Sequence, residues 1–337
     1  MVKVHLLDPK NRITYFEESS RQIGISVSMI EKDYWVVWIL GRLFSLNELK
    51  NYLTFKGGTS LSKIYQIIKR FSEDIDLSIE RTFFGFHNEQ LENINISRKQ
   101  KNISLENLSH QCAQYISGTL MKVLSEDITK ELNLSDTWKL FIDESDPARQ
   151  TLIFEYPAVA PDKNDYIRPS VKIELGARSE HWPVSQHLIH SYAKETLKDK
   201  IEESEMTIRV LNIERTFWEK ATILHQYSHL PANKSLPLRL SRHYYDYYFL
   251  LKSIKDEAIK NQHLLEKVAH HKDTYFPSAW ANYAQAKKGT LKLTPPEHIS
   301  KILEKDYGLM KEMFFEDPPI WNEIMDLIRR FEIEFNQ

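Results

Sequence analysis

The sequence predicts an α+β protein: N-terminal helices, a core on a small mixed β-sheet, and a mainly helical C-terminal region. Three observations point there. Four short runs between residues 53 and 175 have the alternation or the β-branched and aromatic make-up of strands. On either side of them the apolar residues recur at helical spacing. Prolines at 231, 237, 277, 295–296 and 318–319 then divide the last third of the chain into helix-length pieces. The expected division is 1–50, an N-terminal helical segment; 51–180, the core; and 181–337, a helical C-terminal domain.

Taken in order, Glu31 to Leu40 carries apolar residues at helical spacing up to Phe44. A strand over Leu53–Lys56 runs into Gly57-Gly58. From Thr59 to about Arg70, the positions Leu61, Ile64, Tyr65, Ile67 and Ile68 suit one face of a helix. Asp74 to Ile79 alternates as a half-buried strand. Residues 86–150 are polar and mostly helix-like, with no evident chemistry. Thr151–Tyr156 and Ser170–Leu175 read as two more strands, joined by a loop holding Pro157, Pro161 and Pro169. From about residue 185 the pattern is mainly helical to the end.

The chain has 337 residues, 42% of them hydrophobic and 27% charged, enough for a sizeable core. A formal net charge of −2 excludes a global basic field, so any nucleic acid must be held by a local patch. One cysteine, Cys112, excludes an intrachain disulfide and a cysteine-based zinc cluster and fits a reducing compartment. No run approaches the ~20 apolar residues of a membrane span, so a cytoplasmic protein without a membrane partner is expected.

Glycine is scarce, nine in all, yet two stand together between a strand and a helix. Without a Cβ they let the backbone turn tightly and approach a ligand, and the N–H groups opening the following helix suit a triphosphate. Thr59 and Ser60 add hydroxyls, and Lys63, one turn on, can add charge. By itself this is equally a plain strand–turn–helix connection. Asp74 and Asp76, at i and i+2 on a strand, project to one face while Ile75, Leu77 and Ile79 pack on the other. Two carboxylates so close repel unless a cation lies between them, and an oxygen site of this kind suits Mg²⁺. Strand, Gly-Gly-Thr-Ser, helix and Asp-x-Asp together carry the information that neither motif carries alone.

Phe55-Lys56-Gly57-Gly58-Thr59-Ser60-Leu61-Ser62-Lys63, followed by Arg70-Phe71-Ser72-Glu73-Asp74-Ile75-Asp76-Leu77, resembles the AbiEii/AbiGii-type toxin family. That family lies within the DNA polymerase β-like nucleotidyltransferase superfamily. The resemblance implies a nucleotidyltransferase core, with Gly58 and Ser60 (or Thr59) in its phosphate loop and Asp74 and Asp76 as its metal pair. The nucleotide-binding set expected from loop and resemblance together is Gly57, Gly58, Thr59, Ser60 and Lys63. It also implies a third acid from another strand, for which Glu174 is the choice and Glu155 the rival, acting as metal ligand or base. Lys220, on the amphipathic stretch Ile213–His225, matches a family lysine near the triphosphate. Arg239, Arg242, His243 and Asp246 fall at i, i+3, i+4 and i+7. They resemble the family's R-x-x-K-D-x-x-D helix, with Arg242 in place of lysine and His243 in place of the first aspartate. Arg242 and Asp246 are therefore carried over as nucleotide-binding, and Asp74, Asp76, Glu174 and Lys220 as catalytic. The likeness runs on through Ser278–Tyr283, Leu293–Pro296 and Asp306–Met310, where packing is the expected role.

The resemblance implies an enzyme using two Mg²⁺ ions and an NTP, a toxin of a toxin–antitoxin or phage-defence system. Its acceptor would be RNA, by expectation the 3′ end of tRNA, and an antitoxin would be encoded nearby. The alternatives are transfer to a protein or small molecule, or a non-catalytic nucleotide- or RNA-binding subunit. His225 and His229 share a helix face but lack a third zinc ligand, so a structural role is expected. Cys112 reads as a small buried residue.

Overall fold

The computed structural model describes residues 1–88, 91, 96–132, 137–161 and 168–337. Parts of the 86–150 and 157–169 stretches discussed above lie outside them. The chain divides into two compact units, Met1–Ile64 with Phe71–Val210, and Tyr65–Arg70 with Leu211–Gln337.

The first unit holds a seven-stranded mixed sheet. Its strands are β1 (Leu53–Lys56), β2 (Ile75–Ile79), β3 (Lys139–Ile142), β4 (Thr151–Glu155), β5 (Ser170–Gly176), β6 (Val184–Ile189) and β7 (Met206–Leu211). They lie in the order β3-β4-β5-β2-β1-β7-β6. β2 runs antiparallel to β1 and parallel to β5, β4 is antiparallel to both its neighbours, and β7 is parallel to β1. Register sorts the side chains. Phe55 pairs with Leu77, Ile75 with Ile173 and Leu152 with Ile173, which gathers the apolar residues on one face. The helix Val27–Ser45 covers that face, its Trp35 stacked at 5.6 Å on Tyr156 and edge-on to Phe154. Burying each such side chain contributes roughly 1.5–3 kcal/mol. The same helix buries three successive charged residues, each matched. Glu31 accepts from Val159 N and Ala160 N at 2.8 Å, Lys32 pairs with Glu73, and Asp33 pairs with Lys63 at 2.9 Å.

The second unit is helical. It comprises Ile213–Ser228, Ser241–Lys260, His263–Tyr275, Glu297–Gly308 and Trp321–Asn336 with shorter turns between. Phe217, Trp218, Tyr247, Phe331 and Phe335 form its aromatic core. The segment Tyr65–Arg70 is tied in by Tyr65 Oη donating to Leu211 O at 2.8 Å and by Phe315 N donating to Lys69 O at 3.1 Å. Among the described residues no helix is long and apolar enough to cross a membrane.

The α+β organisation expected from the sequence is present, with three local differences. The helix expected over Thr59 to about Arg70 spans only Gly57–Lys63. Gln66 takes a left-handed φ of 52°, and of the apolar residues beyond Lys63, Ile64 stays with the first unit while Tyr65, Ile67 and the buried Ile68 belong to the second. The region after residue 185 is not helical at its start, since β6 and β7 lie there. Arg239 is not on the Ser241–Lys260 helix with Arg242, His243 and Asp246; its φ of 60° puts it in the turn before.

Candidate active site

β1 delivers the chain to Gly57, whose φ of +83° is open to glycine at little cost. A Cβ there would lie 1.8 Å from Asp76 Oδ2, so the loop backbone rests directly against that carboxylate. Thr59 is buried and donates to the main-chain carbonyl of Asp74, within reach of Ser72 Oγ at 2.9 Å, which pins the loop to the start of β2. Ser60 is fully buried and donates to Gly57 O at 2.8 Å, closing the turn from inside. Lys63 does not carry an open charge. Its ammonium is paired with buried Asp33 and lies 3.6 Å from the centre of the Tyr192 ring. Burial lifts the Asp33 carboxyl to about 6 despite Lys63.

Beside the loop, register brings the acids together. Asp76 lies opposite Lys56 on β1 and Glu174 on β5, all on the face away from the apolar core. Lys172, two residues before Glu174, pairs with it at 2.7 Å. Partial burial works to lower the Lys172 pKa, but the hydrogen bond and charge of Glu174, joined by the charge of Asp74, raise it. Lys172 thus relieves the repulsion within an acidic set that includes Asp74, Asp76 and Glu174. Glu155 stands elsewhere, paired with Lys139 at 3.5 Å. Few hard oxygen donors on an open sheet face suit Mg²⁺, which completes its shell with water and substrate phosphates. Among the described residues, no three of His, Cys, Asp and Glu form a self-sufficient ion site.

The second unit gathers Lys220 and Asp246 with Arg70. Asp246 is fully buried and accepts from Arg70 Nε at 2.8 Å, Arg70 Nη2 at 2.9 Å and Lys220 Nζ at 2.8 Å. Burial alone would raise the Asp246 pKa, but the charges and hydrogen bonds of Arg70 and Lys220 hold the carboxyl far below its usual range. Lys220 also lies 3.0 Å from His243 Nδ1. Burial, then the charges of Lys220 and Arg242, push the His243 pKa well down, so the neutral ring accepts from the ammonium. Burial lowers the Lys220 pKa while Asp246 opposes it. Arg242 is half-buried beside this cluster. Arg70 is the member that residue patterns miss, because its partner lies 176 positions away and no local spacing announces it. His225 and His229 are structural: His225 accepts from Lys292 N at 3.0 Å, and His229 Nδ1 lies 2.8 Å from His225 O. Cys112 is buried, its thiol pushed up to about 12 by desolvation.

The family model described as the nucleotidyl transferase AbiEii toxin of type IV toxin–antitoxin systems matches residues 38–330. Among solved structures, the chain is similar to MenT4, a nucleotidyltransferase toxin from Mycobacterium tuberculosis H37Rv. The identity is 14% and the TM-score 0.46, over 95% of this chain and 96% of that one. No curated protein sequence matches. The family match takes in the Gly57–Ser60 loop, the acids of β2 and β5, and the Lys220–Asp246 pair, so the chain belongs to the AbiEii nucleotidyl transferase toxin family.

Proposed function

We propose that the protein transfers a nucleoside monophosphate from an NTP to RNA, with the 3′ end of tRNA as acceptor, in a Mg²⁺-dependent reaction. One observation carries this reading: the Gly57 backbone is pressed against Asp76, leaving no room for a Cβ, with Glu174 in register beside that aspartate. The Gly57–Ser60 loop takes the triphosphate, and Asp74 and Asp76, with Glu174, hold two Mg²⁺ ions. When bound, the metal supplies positive charge to the phosphates and acidifies the attacking hydroxyl. Thr59 keeps the Asp74 backbone in place, and Lys172 holds the Glu174 carboxylate. The acceptor oxygen forms its bond to the α-phosphorus as the bond to pyrophosphate breaks, and the hydroxyl proton passes to Glu174, or to solvent where Glu174 serves as a metal ligand. Arg242, half-buried, offers charge to RNA phosphates, while Asp246 and His243 hold the buried Lys220 ammonium. The family implies an antitoxin; we place its gene nearby and the toxin in the cytoplasm.

The test is purified protein with Mg²⁺, each labelled NTP and total RNA. Label enters RNA in the wild type and falls roughly a hundredfold or more in Asp76→Asn. Label that migrates with protein instead replaces this reading with protein modification, and full activity in Asp76→Asn removes the assigned site.

A further inference from the structure

The loop 177–183 leaves β5, passes over β2 and β1 on the side that carries Asp76, and opens β6 at the far edge of the sheet. Its anchor is His181. Nδ1 lies 3.2 Å from Thr54 Oγ1 and Nε2 lies 3.3 Å from Ser78 Oγ, so both ring nitrogens are engaged by hydroxyls. Burial, followed by the charges of Arg81, Arg209 and Lys56, drops its pKa to about 3. His181 is therefore a neutral post fixed to two paired strands. Thr54 and Ser78 face each other across β1 and β2. Ser78 stands two residues beyond Asp76 on the same face, about 7 Å along the strand.

The next residue is Trp182, whose side chain is 51% exposed. The other six tryptophans are buried or half-buried. A half-exposed indole whose preceding residue is bonded into the sheet, at a strand position two residues from Asp76, is an aromatic surface on an anchored backbone. Rigid presentation matters because a platform that is already ordered loses little entropy when a ring settles on it. Lys56, in register with Asp76, adds positive charge to the same face.

We propose that Trp182 is the stacking platform for a nucleobase whose phosphates lie at the Asp76 face. The proposal rests on the nucleotidyl-transfer reading. Every base has a π-face, so such a platform binds without reading sequence. The base has two possible sources, the incoming NTP or the terminal residue of the RNA acceptor.

Equilibrium binding separates them without requiring turnover. The ligands are each NTP with Mg²⁺ and, separately, unfractionated tRNA; the proteins are wild type, Trp182→Ala and Trp182→Tyr. The alanine variant is expected to weaken one ligand by about five- to a hundredfold, and tyrosine to restore most of the loss. Loss confined to NTP assigns the donor base, and loss confined to tRNA assigns the acceptor base. Unchanged binding of both in Trp182→Ala overturns the proposal, as does a loss that tyrosine fails to restore. Transfer by Asp76→Asn is measured in parallel. Asp76-dependent transfer with unaltered Trp182→Ala binding sinks the platform alone, whereas Trp182-dependent binding with Asp76-independent transfer sinks the active-site assignment alone.

Discussion

At Gly57 two demands coincide: a left-handed φ and a neighbour, Asp76 Oδ2, where a Cβ would go. Gly57→Ala is therefore expected to lose about 2–4 kcal/mol of stability, from backbone strain and the overlap together. A denaturant midpoint equal to wild type would contradict the packed loop. The buried ion cluster makes a second prediction. Removing the negative member leaves Arg70 and Lys220 under-compensated, so Asp246→Asn is expected to lose about 3–5 kcal/mol near neutral pH. Because the folded carboxyl titrates lower than the unfolded one, its contribution is complete above an unfolded value of about 3.9 and is lost as pH falls through the folded value. The gap in unfolding free energy between wild type and Asp246→Asn should stay flat from about pH 8 to 5 and narrow below about pH 4. A gap that widens in acid would show that the pair does not hold the carboxylate charged. Gly57 is legible because glycine is rare and placed between a strand and a helix. The Arg70–Asp246 bond is not, since a contact across 176 positions leaves no mark on either neighbourhood.

Strands β1, β2, β4 and β5 are legible because each has one face in the core, which imposes alternation. β3 and β6 are the two edge strands and bury one residue each, Ile142 and Ile189, so no period forms. β7 does carry a signal in Met206, Ile208 and Val210, but a helix pattern begins at Ile213 and masks it. The short helix Gly57–Lys63 looks longer in sequence because the apolar run continues past Ile64 into residues of the second unit. Its register with β2 depends on Thr59. Thr59→Val leaves the Asp74 carbonyl without this donor and is expected to lose about 1–3 kcal/mol, with transfer reduced further than stability explains. Thr59→Ser should recover both in thermal unfolding and in turnover; recovery of neither would remove the tether from the mechanism.

Across the whole molecule, a formal net charge of −2 means that RNA is not drawn in by a general field. Any productive contact must come from a small number of local cations, and each phosphate they neutralise releases counterions. Labelling of RNA should consequently fall as salt rises from low to moderate, and Arg242→Glu should lower it far more than it lowers NTP binding. Salt-insensitive labelling with the counts in protein would favour the protein-modifying alternative. The division of the chain has its own outcome in time. Six residues of the second unit, Tyr65–Arg70, are made between the glycine loop and Asp74, long before the rest of that unit. Arg70 leaves the ribosome 176 residues ahead of the aspartate that neutralises it, an interval of roughly ten to thirty-five seconds at typical elongation rates. A nascent or truncated chain that stops short of residue 246 carries the loop, Asp74 and Asp76 but lacks the counter-ion of Arg70, so the second unit's ion cluster closes late in synthesis.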